Sequence, residues 1–322
     1  MASLKVGIVG TGQVGASCAL AMVARGVCRE LRLIDRTRAR AKGVACDLMY
    51  GAPLSPPIDV RCGDYDALAG ASLVVVTVGV NEKTGGATDR GDPHGRLRLL
   101  ETNARIYQDV IPRIVRAAPN APILIVTDPP DPLTDVAREL AGHDRVFGTG
   151  TLLDSLRFRV HLARELEIDP SAVEATILGE HGTSSVFLWS SARIAGVPVA
   201  REIARRGLDA QAFRERVENA VRFANIAIIE GIGASQYGIG LVTARIAQAV
   251  LRDERAVLPV GSHHPRTGVA FSLPSVVGEG GVLEVLEPEL DDAEREGLAR
   301  SIEQLQNART HVAPNPPERR RA

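Results

Sequence analysis

Short apolar runs alternate with longer amphipathic stretches along the first half of the chain, the pattern of strands and helices taken in turn. Strands are predicted at Leu4–Val9, Leu31–Asp35, Ile58–Cys62, Leu73–Val78 and Pro122–Thr127. Helices are predicted at Ala16–Arg25, Arg96–Ala118 and Leu133–Leu140, with Pro112 as a candidate break in the second. Leu73–Val78 is nearly all β-branched and ends at Gly79, as expected of a strand buried on both faces. The alternation implies a parallel, doubly wound sheet. A boundary falls near Gly150. Beyond it, Leu152–Glu165 reads as a helix, Ala175–Leu178 as a strand, and Ser184–Ser191 as an apolar run with Trp189 in the core. Asp209–Glu230 and Tyr237–Arg252 read as helices separated by Gly231–Gln236. Three antiparallel strands are expected at Ala256–Val260, Val269–Leu273 and Val282–Leu286, then a last helix over Asp291–Asn307 capped by Asp291. Residues 313–322 form a basic, proline-rich tail with the composition of disorder. The expected domains are therefore 1–150 and 151–312, plus the tail.

The 322 residues suffice for two medium domains with a sizeable core. A net charge of −1 exerts no general pull towards nucleic acid or an anionic membrane. No apolar run approaches a bilayer span, and the first strand begins too early for a secretion signal, so a cytoplasmic location is expected. The four cysteines (Cys18, Cys28, Cys46, Cys62) match no zinc-ligand spacing and read as reduced thiols.

Gly10-Thr-Gly12-Gln13-Val14-Gly15 lies between the first strand and the first helix. Gly10 suits the tight turn, Gly12 the close approach of a pyrophosphate, and Gly15 helix–strand packing. The helix N-terminus supplies N–H groups and positive dipole to phosphate. Asp35 ends the second strand, 20 positions after Gly15. It suits a ribose diol and repels a 2′-phosphate, which favours NAD. Arg36 and Arg38, which follow Asp35, read as solvated, with Arg36 also within reach of the adenine end, where it would loosen a strict preference for NAD. Gly79, closing the central strand, joins Gly10, Gly12, Gln13, Val14, Gly15 and Asp35 as candidate cofactor contacts. The fold class follows as α/β: a Rossmann doubly wound parallel sheet followed by an α+β substrate domain.

Asp154 and Arg157 stand at i,i+3 on one helix face. His181 lies in the glycine-bounded turn Gly179-Glu-His-Gly182. A carboxylate can fix a histidine's tautomer and stabilise its protonated form. A guanidinium can grip a substrate carboxylate through two parallel hydrogen bonds. Together they suit proton transfer to a small acid bearing a hydroxyl or carbonyl. Asp128 sits at the C-terminal end of a predicted strand. Residues 80–95, rich in glycine and charge, suit a loop that closes over substrate, with His94 beside Arg96. Ser235 either lends a hydroxyl to a site or caps the following helix, and residue type favours the cap. His161 is placed towards solvent, and His263-His264-Pro265 reads as a turn without the acidic or thiolate company of a metal site.

Nearly the whole chain resembles the L-lactate/malate dehydrogenase family, above all through Leu153-Asp-Ser-Leu-Arg-Phe-Arg159 and Gly179-Glu-His-Gly182. The resemblance implies NAD as cofactor, His181 as proton donor and acceptor, Asp154 as its partner, and Arg157 as carboxylate clamp. It implies Arg96 as the lid arginine that polarises the reacting carbonyl, and Ser235 in place of a substrate-pocket threonine. It also implies a homodimer or homotetramer.

Four positions depart from the family pattern. Asp128 replaces an asparagine; an ionised carboxylate accepts hydrogen bonds but cannot donate one to a substrate oxygen. Either Asp128 is protonated, or it binds a substrate donor, or catalysis is reshaped. The loop is longer, with twelve residues between Lys83 and Arg96. Glu82 stands where malate enzymes place an arginine and would repel a second carboxylate, unless Arg90 points inward instead. Thr183 replaces a common aspartate. Bacterial relatives also carry a sugar-bisphosphate site between subunits; Arg159 matches its arginine, but Glu174 stands where its histidine belongs and disfavours phosphate. The reading with most support is an NAD-dependent L-2-hydroxy acid dehydrogenase acting on a monocarboxylate larger than or different from lactate, with a plain lactate dehydrogenase as its close rival. A non-catalytic NAD-binding homologue and a malate dehydrogenase are the alternatives.

Overall fold

The computed structural model describes residues 4–80 and 95–312. The first half runs β1 (Lys5–Val9), α1 (Gln13–Arg25), β2 (Glu30–Ile34), α2 (Arg38–Gly51), β3 (Asp59–Cys62), β4 (Leu73–Val76), α3 (Gly95–Ala117), β5 (Ile123–Ile125), α4 (Pro130–Ala141) and β6 (Val146–Gly148). These six strands are parallel neighbours in the order β3-β2-β1-β4-β5-β6. The order reverses between β1 and β4, and the carboxyl ends of strands at such a switch point frame a crevice. β1 and β4 are buried because helices cover both faces: α1 with a later helix, Tyr237–Leu251, on one, α3 and α4 on the other.

The second half begins with α5 (Leu152–Glu165). Short strands follow: β7 (Val173–Glu174), β8 (Ile177–Leu178), β9 (Val186–Phe187), β10 (Arg193–Ile194) and β11 (Val197–Pro198). Then come α6 (Val199–Arg205), α7 (Ala210–Arg222), α8 (Ala224–Ile232), α9 (Tyr237–Leu251), β12 (Ala256–His264), β13 (Val269–Gly278), β14 (Gly281–Val285) and α10 (Asp292–Thr310). The last three strands are antiparallel, as expected, and they extend the first sheet. Gly261 of β12 pairs with Gly148 of β6, giving nine strands in all. A second core forms around Phe158, Trp189 and Phe213, with the Phe158 and Trp189 rings edge to face at 4.9 Å. Asp291 caps α10 in a reciprocal capping box with Glu294.

Two helices depart from expectation. Pro112 does not break α3, which runs unbroken over 23 residues. An internal proline costs about 3 kcal/mol. Tyr107, Ile111 and Ile114 are fully buried on that helix, and each such side chain returns roughly 1.5–3 kcal/mol. The predicted helix Asp209–Glu230 is two helices, α7 and α8, joined at Phe223 (φ −102°, ψ 5°). Among the described residues no single helix is long and apolar enough to cross a membrane.

Candidate active site

The crevice at the switch point opens into a cavity of about 660 Å³. Its walls come from the α1 N-terminus (Thr11, Gly12, Gln13, Val14), the segments after β4 (Gly79, Val80) and β5 (Thr127, Asp128), and the β6–α5 junction (Thr149, Gly150). The second half contributes Leu153, Arg157, His181, Asn225 and Ser235.

The glycines show what this wall is shaped for. A Cβ on Gly15 would lie 2.0 Å from the carbonyl oxygen of Gly10, so α1 can approach β1 this closely only with glycine there. Gly10 itself has φ +100°. A Cβ on Gly12 would meet nothing within 4 Å, which leaves its backbone open towards the cavity. The first N–H groups of α1 therefore face a space that fits a pyrophosphate. Asp35 lies at the end of β2, where Oδ2 accepts from the Thr11 N–H (2.8 Å) and hydroxyl (3.0 Å) and Oδ1 from the Thr37 N–H (2.8 Å). Burial alone would raise its pKa, but these donors, with Arg40 at 3.9 Å, outweigh it and hold the carboxylate below its ordinary value of 3.8. Arg36 is exposed, and Arg40 in the first turns of α2 lines the cofactor side of the cavity instead.

α5 supplies the polar centre. The hydroxyl of Thr151 donates to Ile177 O (2.5 Å), and the Ile177 N–H donates to Ser155 Oγ (2.9 Å), fixing β8 against α5. The turn after β8 carries His181 back over the helix. Asp154, 7% exposed, then meets two partners. Its Oδ2 lies 2.5 Å from His181 Nδ1, and its Oδ1 accepts from Arg157 Nη1 at 3.1 Å. A carboxylate can only accept, so Nδ1 carries the proton and Nε2 is turned to the cavity. Arg157 Nη2 lies 3.5 Å from Asn225 Oδ1 and 3.4 Å from Ser235 Oγ. Gln236, not Ser235, occupies the N-cap of α9, so the cap reading of Ser235 is corrected, and its hydroxyl faces the Arg157 guanidinium instead.

Asp128 stands on the other side of the ring, with Oδ1 4.0 Å from His181 Nε2. Its main-chain oxygen accepts from Asn103 Nδ2 (2.9 Å), and Asn103 Oδ1 accepts from the Val80 N–H (2.8 Å). One buried amide on α3 thus ties the segment leaving β4 to the segment leaving β5. The imidazole therefore lies between two carboxylates, Asp154 at Nδ1 and Asp128 facing Nε2.

The structure therefore brings together His181, Arg157, Asp128 and Ser235, with Asp154 behind them, on the same cavity as Gly12, Gln13, Val14 and Gly79. Glu82, Arg90 and His94 lie outside the described residues, as does the side chain of Arg96, whose backbone opens α3. Asn103, Asn225 and Asp131 belong to the site's surroundings and were not singled out by sequence reasoning. His263 is corrected: it lies in β12, not a turn, and has carboxylate company, with Nδ1 2.7 Å from Asp135 Oδ1. His161 is half-buried rather than turned to solvent.

A dinucleotide crevice beside a histidine, its orienting carboxylate and an arginine defines an NAD-linked dehydrogenase class of α/β protein. Residues 4–148 match the lactate/malate dehydrogenase NAD-binding domain, and residues 151–314 match that family's α/β C-terminal domain. The chain is 45% identical over 299 residues to an L-lactate dehydrogenase of Deinococcus radiodurans, covering 92% of this chain and 96% of that protein. It is 43% identical over 312 residues to an L-lactate dehydrogenase of Thermus aquaticus, covering 95% and 98%. The crystal structure of a minor L-lactate dehydrogenase from Enterococcus mundtii superposes with a TM-score of 0.90 at 34% identity, covering 98% of this chain and all of that one. The chain belongs to the lactate/malate dehydrogenase family, and its cofactor is NAD.

Proposed function

We propose that this protein interconverts a small L-2-hydroxy monocarboxylate and its 2-oxo acid, with lactate and pyruvate as the reference pair. The observation that carries the reading is the bridge made by Asp154, which holds His181 and Arg157 together at the mouth of the cofactor crevice. Bound along the glycine turn and Asp35, NAD would supply the hydride acceptor for oxidation of the hydroxyl-bearing carbon and, as NADH, the hydride for the reverse reaction. Everything else falls to the protein. Arg157 grips the substrate carboxylate, helped by the hydroxyl of Ser235. His181 Nε2 takes the hydroxyl proton in oxidation and gives it back in reduction. Asp154 keeps Nδ1 protonated and stabilises the imidazolium. Arg96 is assigned to the developing negative charge on the carbonyl oxygen. Glu82 is assigned to excluding a second carboxylate, which disfavours malate. Gly10, Gly12, Gln13, Val14, Gly15, Asp35 and Gly79 are assigned to the cofactor.

The same reading divides the labour between residues 1–150, for the cofactor, and 151–312, for the substrate. It places the protein in the cytoplasm as a homodimer or homotetramer, consistent with cysteines that are free. A panel of 2-oxo acids, assayed by NADH consumption, tests it. Turnover of pyruvate or of another 2-oxo monocarboxylate supports the proposal. NADH binding without turnover of any member supports a non-catalytic homologue, and preference for oxaloacetate supports the malate reading.

A further inference from the structure

Three successive residues of the histidine turn are held by three different elements. The Gly179 N–H donates to Ser272 O on β13 (3.0 Å), and Ser272 N–H returns to Gly179 O (2.9 Å). The Glu180 N–H donates to the hydroxyl of Ser301 on α10 (2.8 Å). The His181 N–H donates to Oδ2 of Asp131 on α4 (2.7 Å). Ser301 is fully buried and Asp131 is 1% exposed. Burying a carboxylate is expensive unless charge-assisted hydrogen bonds compensate it. The His181 amide is such a donor, and Asp131 reaches it across 50 residues of sequence. Space is also reserved around the acid, since a Cβ on Gly261 would lie 2.8 Å from Asp131 Oδ1.

The side chain of His181 is already fixed at Nδ1 by Asp154. Ring orientation alone does not place Nε2, however, because the backbone can still translate the whole residue. An acceptor on the amide removes that freedom. We propose that Asp131 is a positioning residue for proton transfer: by holding the main chain of His181, it sets the distance from Nε2 to the substrate oxygen. Ser301 does the same, more weakly, one residue earlier. Asp131 itself touches neither substrate nor cofactor in this assignment. The inference rests on His181 being the proton-transfer group.

The test compares wild type, Asp131→Ala, Asp131→Asn and Ser301→Ala in pyruvate reduction, with NADH affinity measured by fluorescence. Misplacement by about 1 Å can cost on the order of 100-fold in rate. Asp131→Ala is therefore expected to lower kcat by roughly 10- to 100-fold, with KM for pyruvate and NADH affinity within about threefold of wild type. Asp131→Asn keeps an acceptor oxygen and is expected to recover most of that loss. Ser301→Ala, a neutral truncation that keeps the protein folded if Asp131→Ala does not, is expected to lower kcat by about 3- to 10-fold with KM unchanged. Unchanged kcat in folded Asp131→Ala and in Ser301→Ala would overturn the inference. So would a loss in Asp131→Ala that asparagine does not relieve, or a loss carried by KM or NADH affinity. A wild-type protein that turns over no 2-oxo acid would instead overturn the proposed function, leaving the two failures distinguishable.

Discussion

Asp154 and His181 meet at 2.5 Å, and the same carboxylate reaches Arg157 at 3.1 Å. One acid therefore sets two geometries: the tautomer of the imidazole and the angle of the guanidinium. Asp154→Asn keeps the shape but offers an amide that can donate to Nδ1, which puts the proton on the wrong nitrogen. The expected loss in kcat is on the order of 10²- to 10⁴-fold, as for other general bases that lose their orienting acid. NADH affinity should stay within a few-fold, since the change lies in the second half of the chain.

Asp128, 4.0 Å from His181 Nε2, adds a second negative charge beside the ring. It should support the imidazolium, the form that donates a proton when a 2-oxo acid is reduced. Asp128→Asn removes that support and supplies an amide donor to the substrate carbonyl. The pH–rate profile for reduction should move to lower pH, with kcat/KM for pyruvate changing alongside it. A pH–rate profile for both proteins checks this. Superimposable profiles would mean that Asp128 does not act on the ring.

Arg157 is expected to act by geometry as well as charge. Arg157→Lys keeps the charge but loses the planar fork that can engage a carboxylate and Asp154 together. The expected result is a fall of about 100-fold in kcat/KM, carried mainly by KM. Steady-state kinetics with pyruvate read it directly.

Asp35 bears on both cofactor choice and stability. Its folded pKa lies below 3.8, so its contribution to stability is present above that value and disappears as pH falls through the folded pKa. Asp35→Asn should therefore lower Tm at neutral pH, and the difference from wild type should shrink in acid. The same variant should narrow the preference for NADH over NADPH, because the repulsion of a 2′-phosphate is gone. Thermal melts across pH and paired cofactor kinetics check the two halves separately.

Much of this site can be seen in one dimension because its parts are local. Gly10, Gly12 and Gly15 announce a strand–turn–helix, and Asp154 and Arg157 share a helix face by spacing alone. What escaped sequence reasoning depends on how distant elements dock. Asp131 meets the His181 amide only because α4 packs beneath the histidine turn, and His263 meets Asp135 only because β12 lies along the same helix. Ser235 looks like a cap until the turn before α9 places its hydroxyl beside Arg157. The break at Phe223 is similar: local periodicity continues through it, while Asn225 beyond it reaches Arg157. Pro112 shows the converse, a strong local signal overridden by the apolar surface that α3 buries.

The most direct test of His181 as the proton-transfer group is pyruvate-dependent oxidation of NADH by His181→Gln, measured beside wild type. Wild type should form L-lactate, and the variant should bind NADH normally while losing at least about 10³-fold in kcat. A variant that keeps wild-type turnover would contradict the account.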